Sequence, residues 1–172
     1  LETSPTEGLE IVAVSDRGNP SDILIIKKEA YNPTKQLFLK ENSIVGTSSA
    51  RRKSLLKSYR SDIKIKDLRG NVPTRINKLR KEKYDAIVLA NAGVSRLGLD
   101  LSEFHLEILK PQDFVPAPAQ GVLGLQVRVN DEETKKFVCQ LNNPEVESII
   151  NIERGDLNKL NRGCQLPLGV YA

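Results

Sequence analysis

Short apolar runs, turn residues and amphipathic stretches succeed one another along the whole chain. Leu9–Val14 (LEIVAV) and Asp22–Lys27 (DILIIK) predict two strands, with Asp16–Ser21 (DRGNPS) as turn chemistry between them. Gln36–Lys40 reads as a strand or part of a short helix. A unit of strand, polar turn and helix then occurs three times. Ser43–Gly46 leads through Thr47-Ser48-Ser49 into Ala50–Tyr59, whose Leu55 and Leu56 have helical spacing. Asp62–Asp67 (DIKIKD) alternates like a strand with one wet face. Arg69-Gly70-Asn71 turns, and Pro73–Lys83 predicts a helix with Ile76 and Leu79 inward, Asn71 as cap and Pro73 near the first turn. Tyr84–Ala90 is a buried strand by its unbroken apolar run, Asn91-Ala92-Gly93 turns, and Val94–Leu99 begins a helix. Strands alternating with helices predict a parallel α/β sheet. Beyond them come a strand at Leu106–Leu109, a linker or hinge at Val115–Gly121 (VPAPAQG) and a strand at Gly121–Val129. Helices at Asp131–Leu141 and Glu145–Leu160 are separated by Asn142-Asn143-Pro144. Asn161–Cys164 is a tight loop, and a last strand begins at Leu166–Val170.

Composition narrows the class. The 172 residues are 39% apolar and 28% charged, which excludes disorder along the whole length. No apolar stretch approaches the roughly 20 residues of a membrane span, and no signal or transit peptide is visible at Leu1. Two cysteines are too few for a disulfide scaffold and point to a reducing compartment. A single His, His105, excludes a His-rich metal site and reads as structural. With no Met, the chain is expected to be an internal or processed piece of something longer.

The modest net charge of +4 hides an asymmetry: Arg51–Lys83 carries 13 Lys and Arg against three acids, a net of +10, and the remainder carries −6. Most of these lysines belong to a solvated face. The arginines recur at the turns: Arg51 and Arg52, then Arg69 and Arg75, then Arg96. In open parallel sheets ligands bind beyond the carboxyl ends of the strands, so these forks are expected to gather on one cleft edge. Small residues in the same turns expose backbone N–H groups at helix starts, where an anion is favoured. A planar guanidinium matches a carboxylate with two parallel hydrogen bonds. The inference is a site for a polyanion, either several carboxylates or phosphates; no Gly-x-x-x-x-Gly-Lys loop supports a nucleotide P-loop. Cys139, beside Phe137, Val138 and Leu141, is expected to be a buried apolar residue. Cys164, in a Gly-Cys loop next to Arg162, reads by base rate as structural, although an exposed loop position with a neighbouring cation favours thiolate.

Five ordered motifs then become recognisable: Val45-Gly46-Thr47-Ser48-Ser49-Ala50-Arg51-Arg52, Leu68-Arg69-Gly70-Asn71 with Thr74-Arg75, Ala90-Asn91-Ala92-Gly93 with Arg96-Leu97-Gly98, Pro118-Ala119-Gln120-Gly121 with Leu123-Gly124, and Gly163-Cys164-Gln165-Leu166-Pro167-Leu168-Gly169. In this order they resemble the hydroxymethylbilane synthase (porphobilinogen deaminase) family over nearly the whole chain. Ala50, Arg162 and Ala119 stand where the family usually has Leu, Gly and often Gly. The resemblance implies head-to-tail condensation of four porphobilinogen molecules with release of ammonia, in tetrapyrrole biosynthesis. It implies a dipyrromethane cofactor attached through a thioether to Cys164. By the same match Ser49, Arg51, Arg52 and Arg75 hold the cofactor, Arg69, Asn71, Arg75 and Arg96 bind substrate, and Gln120 lies at the interdomain hinge. The partners implied are porphobilinogen and the growing pyrrole chain, without nucleic acid or membrane, in a cytoplasmic monomer without metal.

The implied fold is α/β: two periplasmic-binding-protein-like lobes with a parallel or mixed sheet, plus the start of a smaller α+β third domain. Residues 20–112 would form the second lobe, 1–19 a first-lobe remnant and crossing segment, 113–141 the return to the first lobe, and 142–172 the start of the cofactor-bearing domain. No catalytic residue is assignable, because the family's aspartate lies in a Lys-Asp motif upstream of Leu1. Two other classes remain open at this point: a solute-binding lobe for a small carboxylate or phosphate without catalysis, and a basic nucleic-acid module, which only Tyr59 among aromatics in the basic block supports.

Overall fold

The structure, a computed structural model, describes residues 6–159 and 168–172. Strands β1 (Leu9–Val14), β2 (Asp22–Lys27), β3 (Ile44–Gly46), β4 (Lys64–Lys66), β5 (Ala86–Ala90), β6 (Phe104–Leu109) and β7 (Gly124–Arg128) are joined by helices α1 (Ala50–Tyr59), α2 (Val72–Lys81), α3 (Asn91–Leu97), α4 (Glu132–Val138) and α5 (Pro144–Lys159). Five strands form one sheet in the order β4-β3-β5-β2-β6, and β1 pairs with β7 in a separate two-stranded ribbon. The large sheet is mixed. β3 runs parallel to β4 and β5, whereas β2 pairs antiparallel with both β5 and β6. The strand–helix rhythm holds for β3, β4 and β5; β2 and β6 depart from it because neither reaches its neighbour through a helical crossover.

β2 lies between two neighbours in the sheet and two packed faces, so its apolar run is unbroken. Ile23 and Ile25 pack with Leu68, Ile76, Leu79, Ile87 and Leu89 on the face covered by α2 and α3. Leu24 and Ile26 point the other way, with Val45, Leu56, Val88 and Phe114 under α1. Deleting a fully buried side chain such as Leu24 would cost about 2–5 kcal/mol. A third, smaller core joins Val14 of β1 to Val146 and Ile150 of α5.

The capping chemistry sets where the helices start. Ser49 caps α1 through the Arg52 amide, and Asn71 caps α2 through the Thr74 amide, with Pro73 in the first turn. α3 starts at Asn91 directly from β5, without the predicted intervening turn, and ends on Gly98 in the left-handed conformation. The three helices therefore begin at one edge of the sheet, beyond the carboxyl ends of β3, β4 and β5.

Other expectations fare differently. Gln36–Phe38 is a short 3-10 turn. The helix predicted over 131–141 is α from Glu132 to Val138 and tightens to 3-10 over Cys139–Leu141. Cys139 is exposed, not buried: α4 is covered on one side only and turns Phe137 (74% exposed) and Leu141 outward with it. Residues 168–170 are in no strand; the Val170 amide instead donates to the Pro116 carbonyl at 3.0 Å. His105 sits on the edge strand β6, its ring 3.7 Å from that of Tyr31 and its Nε2 2.6 Å from Glu107 Oε1. No helix among the described residues is long and apolar enough to cross a membrane, and no group of three or more His, Cys, Asp or Glu there could hold a metal ion.

Candidate functional site

Asp22 opens β2 on the face shared with Leu24 and Ile26, directly beneath α1, and is fully buried. The first turn of α1 sends two guanidinium groups down to it. Arg51 Nη1 donates to Asp22 Oδ2 at 2.8 Å, and Arg52 donates from Nε (3.2 Å) and Nη2 (2.7 Å) to Asp22 Oδ1. Backbone carbonyls take further donors: Val115 accepts from Arg51 Nη1 at 2.7 Å, and Val88, past the end of β3, accepts from Arg52 Nη1 at 3.2 Å. Both arginines are under a tenth exposed, at 5% and 8%. Two buried cations thus share one buried carboxylate. Arg51 Nε is also buried and has no hydrogen-bond partner among the described residues.

Gln120 joins this cluster from the second connecting segment. Its Nε2 donates to the Pro20 carbonyl (2.6 Å) and to Asp22 Oδ1 (2.9 Å), and its Oε1 accepts from Arg51 Nη2 at 3.2 Å. The chain runs that lead into β2 and out of β6 are therefore tied together at the arginine helix. A second buried carboxylate completes the junction. Glu153 of α5 accepts from both terminal nitrogens of Arg17 (2.9 and 3.2 Å) and from the Ala119 amide (2.7 Å), while Arg17 Nε donates to the Gln120 carbonyl.

The remaining arginines stand at different distances from this centre. Arg75, in the first turn of α2, donates from Nε to the Gly70 carbonyl at 2.6 Å. Its pKa is lowered, first by burial and then by the positive charge of Arg52. Burial is also the main cause lowering the pKa of Arg51, against the opposing pull of Asp22. Guanidinium stays protonated in proteins, so both directions record the cost of crowding buried positive charge. Arg96, exposed at the end of α3, donates from Nη2 to the Gly121 carbonyl at 2.7 Å. Arg69 is exposed on the turn before α2. Asn71 accepts from the Thr74 amide at 2.9 Å, and Ser49 Oγ accepts from the Arg52 amide at 3.4 Å. The structure brings Arg51 and Arg52 together and Arg75 into their field; Arg96 is fastened to the connecting segment, and Arg69 stands outermost. Cys164 lies outside the described residues.

Sequence reasoning missed Asp22 and Glu153. The signal for Asp22 was present: a single acid opening an otherwise apolar strand has to be buried with it and has to find cations. Glu153, in a helix rich in charged residues, offered none.

Comparison with known proteins adds a second line. Residues 1–136 match the family model "Porphobilinogen deaminase, dipyromethane cofactor binding domain". The porphobilinogen deaminase of Chlorobium phaeovibrioides is 44% identical over 172 residues, covering all of this chain and 53% of its own length. That of Natranaerobius thermophilus is 40% identical over 173 residues, covering all of this chain and 54% of its own. A probable porphobilinogen deaminase of Sulfurisphaera tokodaii is 41% identical over 98% of this chain and 54% of its own length. The chain spans about half the length of the curated relatives it matches. Among solved structures, a periplasmic binding protein of Salmonella typhimurium, 14% identical, aligns over 87% of this chain and 64% of its own with a TM-score of 0.46.

Proposed function

The chain belongs to the porphobilinogen deaminase family, and from that premise we propose that the full-length protein is a hydroxymethylbilane synthase, a transferase that joins four porphobilinogen molecules head to tail with release of ammonia. The observation that carries this reading is the Arg51–Asp22–Arg52 cluster. Two guanidinium groups against one carboxylate leave one uncompensated positive charge in a buried place, with a buried donor, Arg51 Nε, still unused. Such a surplus is costly until an anion answers it. Porphobilinogen and the pyrrole chain carry acetate and propionate groups, which are the anions a planar fork matches.

A dipyrromethane group fits the same donors, since it is acidic in the same way. We assign Ser49, Arg51, Arg52 and Arg75 to its carboxylates and Cys164 to its thioether; bound there, it primes growth of the chain. Arg69, Asn71, Arg75 and Arg96 are assigned to incoming substrate. These side chains bind and orient. None of the arginines moves a proton, so proton transfer is assigned to a carboxylate. Residues 20–112, which hold the mixed sheet and all five arginines, are assigned to the second lobe, and 113–141 to the return segment.

The test is the full-length protein given porphobilinogen. Consumption of porphobilinogen with release of ammonia, and an intact mass heavier than the polypeptide by a dipyrromethane located at Cys164, support the assignment. A freshly made full-length protein with unmodified Cys164 and no turnover would instead support a solute-binding lobe without chemistry.

A further inference from the structure

Asp22 takes no part in the chemistry assigned above, yet the arginines of the site are organised around it. It accepts from Arg51 Nη1, from Arg52 Nε and Nη2, and from Gln120 Nε2. Three of these donors reach Oδ1 and one reaches Oδ2, and Asp22, being fully buried, has no contact with solvent. Its effect on a ligand passes through the side chains that donate to it, the two arginines first among them.

The donors that remain follow by subtraction. A guanidinium has five N–H groups in a rigid plane. Arg51 commits both protons of Nη1, to Asp22 and the Val115 carbonyl, and one of Nη2 to Gln120. Arg52 commits Nε and one proton of Nη2 to Asp22, and one of Nη1 to the Val88 carbonyl. Each arginine is thereby fixed in its plane from one side and keeps donors on another. Arg52 retains one N–H on each terminal nitrogen. Asp22 also removes one of two positive charges that would otherwise repel each other under α1.

We propose that Asp22 is a positioning residue of the anion site: it locks the guanidinium planes of Arg51 and Arg52 and limits their surplus charge to one unit, so that a substrate carboxylate meets donors already oriented. The proposal rests on the function assigned above. Preorganised donors give more binding per contact, because ordering has been completed before the ligand arrives.

The test uses Asp22→Asn in the full-length protein, because Asn keeps the shape of Asp while removing the charge and one acceptor. If Asp22 merely fills space, the variant turns over like wild type. If it orients the forks, kcat/KM for porphobilinogen falls about tenfold or more, chiefly through KM, as for loss of ground-state and transition-state binding alike. The loss should shrink to less than about threefold when Asp22→Asn is made in an Arg52→Lys background, since the fork it orients is already gone. A kcat/KM less than about tenfold below wild type in a folded Asp22→Asn protein, or a loss of about threefold or more in the Arg52→Lys background, overturns the proposal. Should Asp22→Asn not fold, the wild-type protein decides by nitrogen-15 NMR. A slowly exchanging Arg52 Nε–H without any ligand supports a locked fork, and exchange as fast as that of an exposed arginine overturns it. Wild-type protein that consumes no porphobilinogen would refute the assigned function, while the same NMR signal would still decide whether Asp22 holds the forks.

Discussion

Gln120 and Asp22 lie 98 residues apart in the chain and meet at 2.9 Å, Gln120 Nε2 donating to Asp22 Oδ1. The same amide nitrogen reaches the Pro20 carbonyl, and the amide oxygen accepts from Arg51. One side chain thus joins the segment entering β2, the segment leaving the large sheet, and the first turn of α1. Replacing Gln120 by Leu would strand the Pro20 carbonyl and a donor on Arg51. The expected loss is roughly 1–3 kcal/mol in denaturant unfolding of the full-length protein. A loss below about 0.5 kcal/mol would show that the junction is held by other contacts.

Much of this arrangement was legible in the sequence because local rules decide it. Ala50–Tyr59 is helical over the predicted span, since Ser49 caps it and nothing inside breaks it. β2 and β5 follow from unbroken apolar runs. Strand direction was not legible: DILIIK reads the same in a parallel or an antiparallel ladder, and only the pairing of Asp22 with both Ala90 and Leu109 settles it. The arginines of the site were visible one by one, but their shared carboxylate was not, because a fully buried acid is defined by partners that arrive 29 and 30 residues later. Cys139 failed for a related reason: apolar neighbours in sequence do not bury a residue when its helix presents that side to solvent.

Glu153 and Arg17 form the other buried pair at the junction, with side chains 0% and 12% exposed. Removing one partner leaves an uncompensated charge. Glu153→Gln is expected to cost about 3–5 kcal/mol in denaturant unfolding, and Glu153→Leu combined with Arg17→Leu clearly less than Glu153→Gln alone. A double variant no better than the single one would mean that the Ala119 and Ala172 amides, which also donate to Glu153, carry the cost.

Gly121 has a φ of +96°, and a Cβ there would lie 2.5 Å from the Gly18 carbonyl oxygen. Both backbone strain and a backbone clash therefore oppose Gly121→Ala, for an expected loss of about 2–4 kcal/mol. Gly155, inside α5 with nothing within 4 Å of its Cβ position, is the matched control. Gly155→Ala should stabilise by about 0.5–1 kcal/mol. Equal melting temperatures for the two variants would remove the close approach of the two connecting segments as an explanation.

Arg60 donates from Nε and Nη2 to Asp62 at 2.7 Å, and from Nη1 to the Gln36 and Leu39 carbonyls at 3.0 Å, stitching the 3-10 turn to the end of α1. The Arg60 fork, and after it the Asn42 amide, hold the Asp62 carboxyl well below the usual carboxylate range. A carboxyl depressed in the folded state stabilises it fully above the ordinary carboxylate pKa of about 4, and that contribution is lost as pH falls through the depressed value. Asp62→Asn should therefore lower the melting temperature at neutral pH and flatten its decline on acidification. Parallel melting curves for variant and wild type between about pH 5 and 2 would exclude Asp62 from the acid response.

Arg69 separates binding from folding more cleanly than any other arginine of the site. It is exposed on the turn before α2; its backbone carbonyl accepts from Lys78 Nζ at 3.2 Å, and its charge acts on the exposed Asp67 carboxylate. Arg69→Lys keeps the charge, and with it any long-range attraction for an acidic substrate, but loses the planar fork. The full-length variant is expected to melt within about 1–2 °C of wild type. Its kcat/KM for porphobilinogen should nevertheless fall about tenfold or more, because a lysine cannot replace two parallel hydrogen bonds to one carboxylate. A fall in melting temperature alongside activity would mean that Arg69 supports the turn, and unchanged kcat/KM would remove it from the substrate-binding set. The loss should persist when ionic strength is raised, since a geometric defect is not screened as a missing charge would be.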